Sequence, residues 1–209
     1  MPKKIIISTL IAMVLILLNM CLSVIASDNA LPEITAYLNK MKSATGRFTQ
    51  IGPDGVISQG DFALRKPGKM YFDYEAPTPL KIVSDGFWVS VEDTQLKTRD
   101  RYPLSETPLS ILLKKKVDFS KTDYKISVHK NENSHLVTAS DPQHPERGEI
   151  TIAFSKAPIA LTHWVITDAQ GLKTIVNLQN INLNVPTKND LFFIPTDTGN
   201  INGNANNRR

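Results

Sequence analysis

Two periodicities divide the chain. Over residues 31–42, Ile34, Tyr37, Leu38 and Met41 recur at helical spacing and Pro32 falls in the first turn, which predicts an amphipathic helix. Its apolar stripe must cover another apolar surface. From Gly46 onward the period becomes two, and strand-like runs alternate with turn signals such as Pro53-Asp54-Gly55, Pro67-Gly68, Asp85-Gly86 and Asp168-Ala169-Gln170-Gly171. The runs are 56–66, 69–74, 80–84, 87–91, 95–100, 124–130, 135–140, 149–155, 159–168 and 173–184. About ten short strands joined by tight turns predict an antiparallel sheet curled into a barrel or half-barrel, and the absence of βαβ alternation argues against a parallel one.

The main interruption is 105–116, where Pro108 precedes Leu109, Ile111, Leu112 and Leu113 and three lysines follow. A helix this short is unstable alone, so it is expected to lie on the sheet as a lid. The run Lys114-Lys115-Lys116 suits either an anionic lipid or acidic partner, or simply a solvated last helical turn.

The two ends of the chain stand outside this pattern. Lys3 and Lys4 open a segment that carries no charge from Ile5 to Ala26 and ends in the small residues of a signal-peptidase site, so 1–26 is expected to be a cleaved signal peptide. An uncleaved anchor is the alternative, since the stretch is long enough to span a bilayer. Asn19-Met20 before Cys21 do not fit a lipidation site. The working domain is then 27–195, and 196–209, rich in Asn, Thr and Gly, is expected to be a disordered tail. Losing two lysines and no acid lowers the formal charge from +4 to +2, so nothing calls for nucleic acid. The domain also loses its only cysteine and must be held by its core alone.

A search for catalytic chemistry is negative. The chain has no G-x-S-x-G elbow, no H-E-x-x-H and no phosphate-cradling loop, and its histidines (129, 135, 144, 163) lack metal-ligand spacing. No enzyme, metal or cofactor is expected. What stands out is an apolar strand face: Phe62 and Leu64 point one way, Met70, Phe72 and Tyr74 alternate with polar residues, and Phe87, Trp88, Val89 and Val91 continue the pattern. A single curved sheet has no second sheet to bury that face, so helices, a ligand or both must fill it. Phe62, Leu64, Met70, Phe72 and Trp88 are therefore candidates for an apolar cavity, and Leu109, Ile111, Leu112 and Leu113 for its lid. Lys66 follows Phe62 and Leu64 by parity. It is either a latch onto the carbonyl end of a lid helix or, as spacing alone favours, a solvated turn lysine beside Arg65.

These residues resemble the periplasmic outer-membrane lipoprotein carriers, the LolA family. The resemblance runs from about Leu31 to Pro195. It rests on Gly46-Arg47-Phe48-Thr49-Gln50, on Gly60-Asp61-Phe62-Ala63-Leu64-Arg65-Lys66-Pro67-Gly68-Lys69-Met70-Tyr71-Phe72, and on Val83-Ser84-Asp85-Gly86. It continues through Glu106-Thr107-Pro108-Leu109, Trp164-Val165-Ile166-Thr167-Asp168-Ala169-Gln170-Gly171 and Phe192-Phe193-Ile194-Pro195. It implies an unclosed antiparallel half-barrel plugged by helices. It also implies a monomeric periplasmic carrier that takes acylated lipoproteins from an inner-membrane ATP-driven exporter to an outer-membrane acceptor lipoprotein. The family's lid-holding arginine falls on Lys66, which keeps the charge but lacks the planar donor fork. A half-barrel for another lipid or glycolipid, the acceptor of the same fold, an envelope hydrolase and a membrane-anchored interaction domain remain alternatives.

Overall fold

Turn signals and alternation resolve into eleven strands: β1 Ser43–Ile51, β2 Ile57–Arg65, β3 Lys69–Tyr74, β4 Leu80–Asp85, β5 Trp88–Asp93, β6 Thr98–Pro103, β7 Lys125–Lys130, β8 Ser134–Ser140, β9 Glu149–Lys156, β10 Ile159–Thr167 and β11 Lys173–Leu183. The computed structural model describes residues 30–195; the expected signal peptide 1–26, with Cys21, and the expected tail 196–209 lie outside the described residues. Every pairing is antiparallel, in the order β6-β5-β4-β3-β2-β1-β11-β10-β9-β8-β7. β6 and β7 end the sheet and do not pair with each other, so the barrel is open. The strand absent from the sequence-based set is β1, which zips the two halves together between β2 and β11.

The sheet is strongly curled. β3 and β10 are separated by β2, β1 and β11, which in a flat sheet would set them about 19 Å apart at about 4.8 Å per step. Yet the rings of Phe72 on β3 and Trp164 on β10 meet edge-to-face with centroids 6.1 Å apart. Side chains cannot span that gap; the backbone must bend. Gly60 shows how tightly the strands pack, since a Cβ there would collide with the carbonyl oxygen of Asp73.

Two elements lie on the inner face. Helix α1, Leu31–Lys40, starts with Pro32 and Glu33 in its first turn, ends with Lys40 in its last, and buries Ile34 and Leu38. The lid joins the end of β6 to the segment before β7. It is not the continuous helix expected over 105–116 but two 3-10 turns, Leu104–Glu106 and Pro108–Ile111. Pro108 explains the break, because a residue before proline is pushed toward extended geometry and Thr107 sits at φ −100, ψ 138. β6 also starts later than the 95–100 run. The carboxylate of Asp93 accepts from the Gln95 and Leu96 amides, and Lys97 takes φ 54, so these residues form the hairpin turn. No helix among the described residues is long and apolar enough to cross a membrane.

Candidate functional site

Strand register assigns side chains to the two faces. Phe62 on β2, Phe72 on β3, Ile82 on β4 and Val91 on β5 stand directly opposite one another in turn, as do Leu64, Met70, Ser84 and Val89. These rows form the inner wall of one half. Phe62 stacks on Phe72 at 5.9 Å, and Phe48 of β1 meets Phe72 at 5.0 Å and Tyr74 at 4.9 Å, both edge-on. The other half contributes Val137, Ile150, Ile152, Phe154 and Trp164, all essentially without solvent contact. Burial pushes the Tyr74 phenol up to about 12, its bond to Gln50 acting the other way, so this polar tip stays neutral.

The cover fills this wall rather than leaving it hollow. Ile34, Leu38 and Met41 are buried, and Tyr37 packs edge-on against Phe154 at 6.1 Å. From the lid, Leu109, Ile111, Leu112 and Leu113 are buried, followed by Val117 and Phe119. Several polar ties hold the cover. The Gly68 amide of the β2–β3 turn donates to the Leu113 carbonyl at 2.9 Å. Asn39 on α1 clamps the lid twice: its Nδ2 donates to the Val117 carbonyl at 2.9 Å and its Oδ1 accepts the Val117 amide at 2.8 Å. Lys66 Nζ donates to the Leu38 carbonyl at 2.8 Å, near the C-terminal end of α1 where its charge suits the helix dipole. Burial lowers the Lys66 pKa to about 8, with nearby Lys42 adding to the effect.

Phe62, Leu64, Met70 and Phe72 thus lie together on the inner face, with Leu109, Ile111, Leu112 and Leu113 buried in the lid. Trp88 does not join them. It pairs with Pro103 and shares the outer face with Ser90 and Arg101, whose guanidinium lies 5.5 Å from its ring centre, and it is 43 % exposed. Alternation requires this, since neighbouring Val89 and the next inner residue, Val91, take the inner positions. The hydrogen bond of the Lys66 ammonium goes to α1. Asn39 is the residue the sequence reading passed over; its partner is 78 positions away, and only a polar residue beside Leu38 on the apolar stripe signals it. His129 and His135 fall on opposite faces of their hairpin, and no group of three metal-binding side chains occurs among the described residues.

The outer face carries its own cover. Residues after β11 cross β2 to β5 and bury Phe192 and Ile194. Arg65 faces this side, as its parity requires. It lies 4.6 Å from the Phe192 ring centre and donates to the Thr187 carbonyl at 3.1 Å and to Asn189 Oδ1 at 2.7 Å. A cavity of about 370 Å³ remains there, bordered by Tyr71, Lys81, Glu92, Arg99 and Phe193.

An open half-barrel whose apolar inner wall is roofed by one helix and a short strap, held by a few polar ties, is a binding scaffold rather than a catalytic one. Comparison with known proteins agrees. Residues 39–195 match the family model described as outer membrane lipoprotein carrier protein LolA, and the chain belongs to that family, one of carriers and not of enzymes. It is similar to the outer-membrane lipoprotein carrier protein of Bordetella avium, 28% identical over 86% of this chain and 88% of that one. The carrier of the same name from Pseudomonas entomophila is 25% identical over 81% and 86% of the two chains. An uncharacterized protein of Rickettsia prowazekii is 33% identical over 135 residues, which span 63% of each chain. Among solved structures, a LolA superfamily protein from Nitrosomonas europaea covers 78% of this chain and 97% of its own, at 10% identity and a TM-score of 0.42.

Proposed function

We propose that this chain shelters the acyl chains of lipoproteins in the periplasm, taking them from an inner-membrane ATP-driven exporter to an outer-membrane acceptor. The observation that carries the reading is the continuous apolar inner wall, from Phe62 and Phe72 to Trp164, covered by an apolar strap with only a few polar ties. Acyl chains displace Leu109, Ile111, Leu112 and Leu113 from that wall, and one apolar burial replaces another. Lys66 favours the covered state by holding α1 through Leu38. Family membership and relatives that bear the carrier name support the same reading. The residues 1–26 would direct export.

The test is release from spheroplasts. Protein from Ser27 onward, added to spheroplasts synthesising a labelled lipoprotein, should bring that lipoprotein into the supernatant as a complex of one carrier and one cargo. Release no greater than with serum albumin, or recovery of free lipid or glycolipid without lipoprotein, would overturn the proposal.

A further inference from the structure

The two ends of the sheet differ in charge. At the end where α1 finishes and the lid begins, the turns bring Lys66, Lys69, Lys130 and Lys156. The lid adds Lys114, Lys115 and Lys116, all exposed. The opposite end brings Asp54, Glu75, Asp93, Asp141, Glu146 and Asp168 against Lys97, Lys125, Arg147 and Lys173. Acids also occur at the lid end: Asp85, Glu106, Glu132 and Asp118, the last beside the lysine run. The Asp85 carboxylate, however, is engaged locally, accepting the amides of Phe87 and Trp88 at 2.8 and 2.9 Å. That turn holds Phe87 81 % exposed and Trp88 43 % exposed, with Tyr102 and Phe193 the other exposed aromatic residues among those described.

The aromatic turn and the lysine run share one rim. Leu113, which precedes the lysines, accepts the Gly68 amide, and a Cβ on Gly68 would lie 2.7 Å from the Cα of Gly86, the residue before Phe87. The Leu104 amide at the start of the lid donates to the Phe87 carbonyl at 2.8 Å. We infer that this rim is a docking surface for an anionic phospholipid bilayer, with Lys114 to Lys116 over the headgroups and Phe87 and Trp88 in the interfacial layer. Three consecutive ammonium groups, that of Lys114 lying 4.8 Å from the Tyr124 ring centre, supply charge without the fixed donor fork that a defined carboxylate site would use. Phe87 at the turn and Trp88 beside it, its ring 5.5 Å from the Arg101 guanidinium, give exposed aromatic area of the kind that suits the interfacial layer of a bilayer. Such docking presents the lid itself to the membrane. It rests on the rim alone and not on what fills the inner face, so it stands or falls apart from the carrier proposal.

The measurement is co-sedimentation with vesicles of phosphatidylcholine, pure or with about 30 % phosphatidylglycerol. The protein is again the chain from Ser27 onward, which holds every strand and core residue described. Binding should need the anionic lipid and fall with salt. Trp88 fluorescence should shift to the blue, because Trp164, at 1% exposure, is already shielded. Each lysine near a charged surface is worth about fivefold, so Lys114→Gln, Lys115→Gln and Lys116→Gln together should weaken binding on the order of 100-fold. Lys97→Gln, Lys125→Gln and Lys173→Gln at the far end should leave it within about twofold. Phe87→Ser with Trp88→Ser should also weaken it. All the altered positions are at the surface, and equal melting temperatures would show the folds intact. Equal binding to both vesicle types, or equal loss from the two lysine sets, would overturn the inference. So would binding to polyglutamate but not to vesicles, which would assign the rim to an acidic protein.

Discussion

Replacing Asn39 by Ala separates the cover from the sheet without touching either apolar surface. The change removes both bonds to Val117. Each contributes about 1 kcal/mol net, and the Val117 amide and carbonyl, on a residue 1% exposed, would be left unpaired in the covered state, so the loss is about 2–4 kcal/mol. Alanine is a better helix former than asparagine, so α1 itself is not weakened. A loss of 2 kcal/mol multiplies the uncovered population by about 30. Hydrogen exchange at the Val117 amide should accelerate by at least about that factor, while the β1 and β11 amides keep their protection. A fluorescent fatty acid should bind tighter by a similar factor, because less of its binding energy is spent on opening. Faster exchange with unchanged fatty-acid affinity would refute the claim that the strap and the acyl chain compete for one surface. Unchanged exchange in a folded variant would refute the clamp itself.

Three further changes probe the wall, the Lys66 tie and the strand packing. Phe72→Glu or Met70→Glu places a carboxylate in the inner wall and should abolish lipoprotein copurification; Phe72→Ala, expected to cost about 3–5 kcal/mol in urea unfolding, reports packing alone, and normal loading of either Glu variant would count against the site. Lys66 is held near 8 when covered and returns toward 10.5 when α1 lifts away, so the covered form binds fewer protons and gains stability as pH rises from about 8 to 10.5. Allowing for screening at a partly exposed rim, the gain is about 1–2 kcal/mol; fatty-acid affinity should fall across that window and stay flat in Lys66→Met, and identical profiles would dismiss the tie. Lys66→Leu should also slow cargo release at neutral pH. Gly60→Ala should lower the urea midpoint by an equivalent of at least about 2 kcal/mol, since its methyl group would strike the Asp73 carbonyl, and an unchanged midpoint would disprove that contact.

Much of this was legible because one face of the sheet is buried and period two makes burial visible. Met70, Phe72 and Tyr74 alternate cleanly with polar neighbours, and the 69–74 run is strand β3 to the residue. Trp88 was misplaced because Phe87-Trp88-Val89 is apolar throughout and alternation is silent there; Val89 and Val91 carried the correct parity. On the outer face, Val83 and Ser90 are buried beneath the segment that carries Phe192 and Ile194. Nothing local in β4 or β5 announces a cover supplied about a hundred residues later. The Asn39–Val117 clamp was hidden for the same reason. Pro108, by contrast, sat in plain view inside the lid, and its effect on Thr107 was open to inference from the sequence.

The magnitudes explain why so few polar bonds matter. Burying Leu109, Ile111, Leu112 and Leu113 contributes about 6–12 kcal/mol to the covered state, at about 1.5–3 kcal/mol per side chain. On the proposed function, an acyl chain of about fifteen methylenes would gain about 12 kcal/mol on entering the same surface. Two terms of that size nearly cancel, and the sign of the difference falls to whatever distinguishes the states by a few kcal/mol. The Asn39 clamp, the Lys66 bond and the Gly68–Leu113 bond exist only when the cover is down, and together they are of that order. Removing any one should therefore move loading and release in opposite directions, with the apolar wall unchanged. A cover held by hydrophobic burial alone would show no such reciprocity: its polar variants would unfold or do nothing.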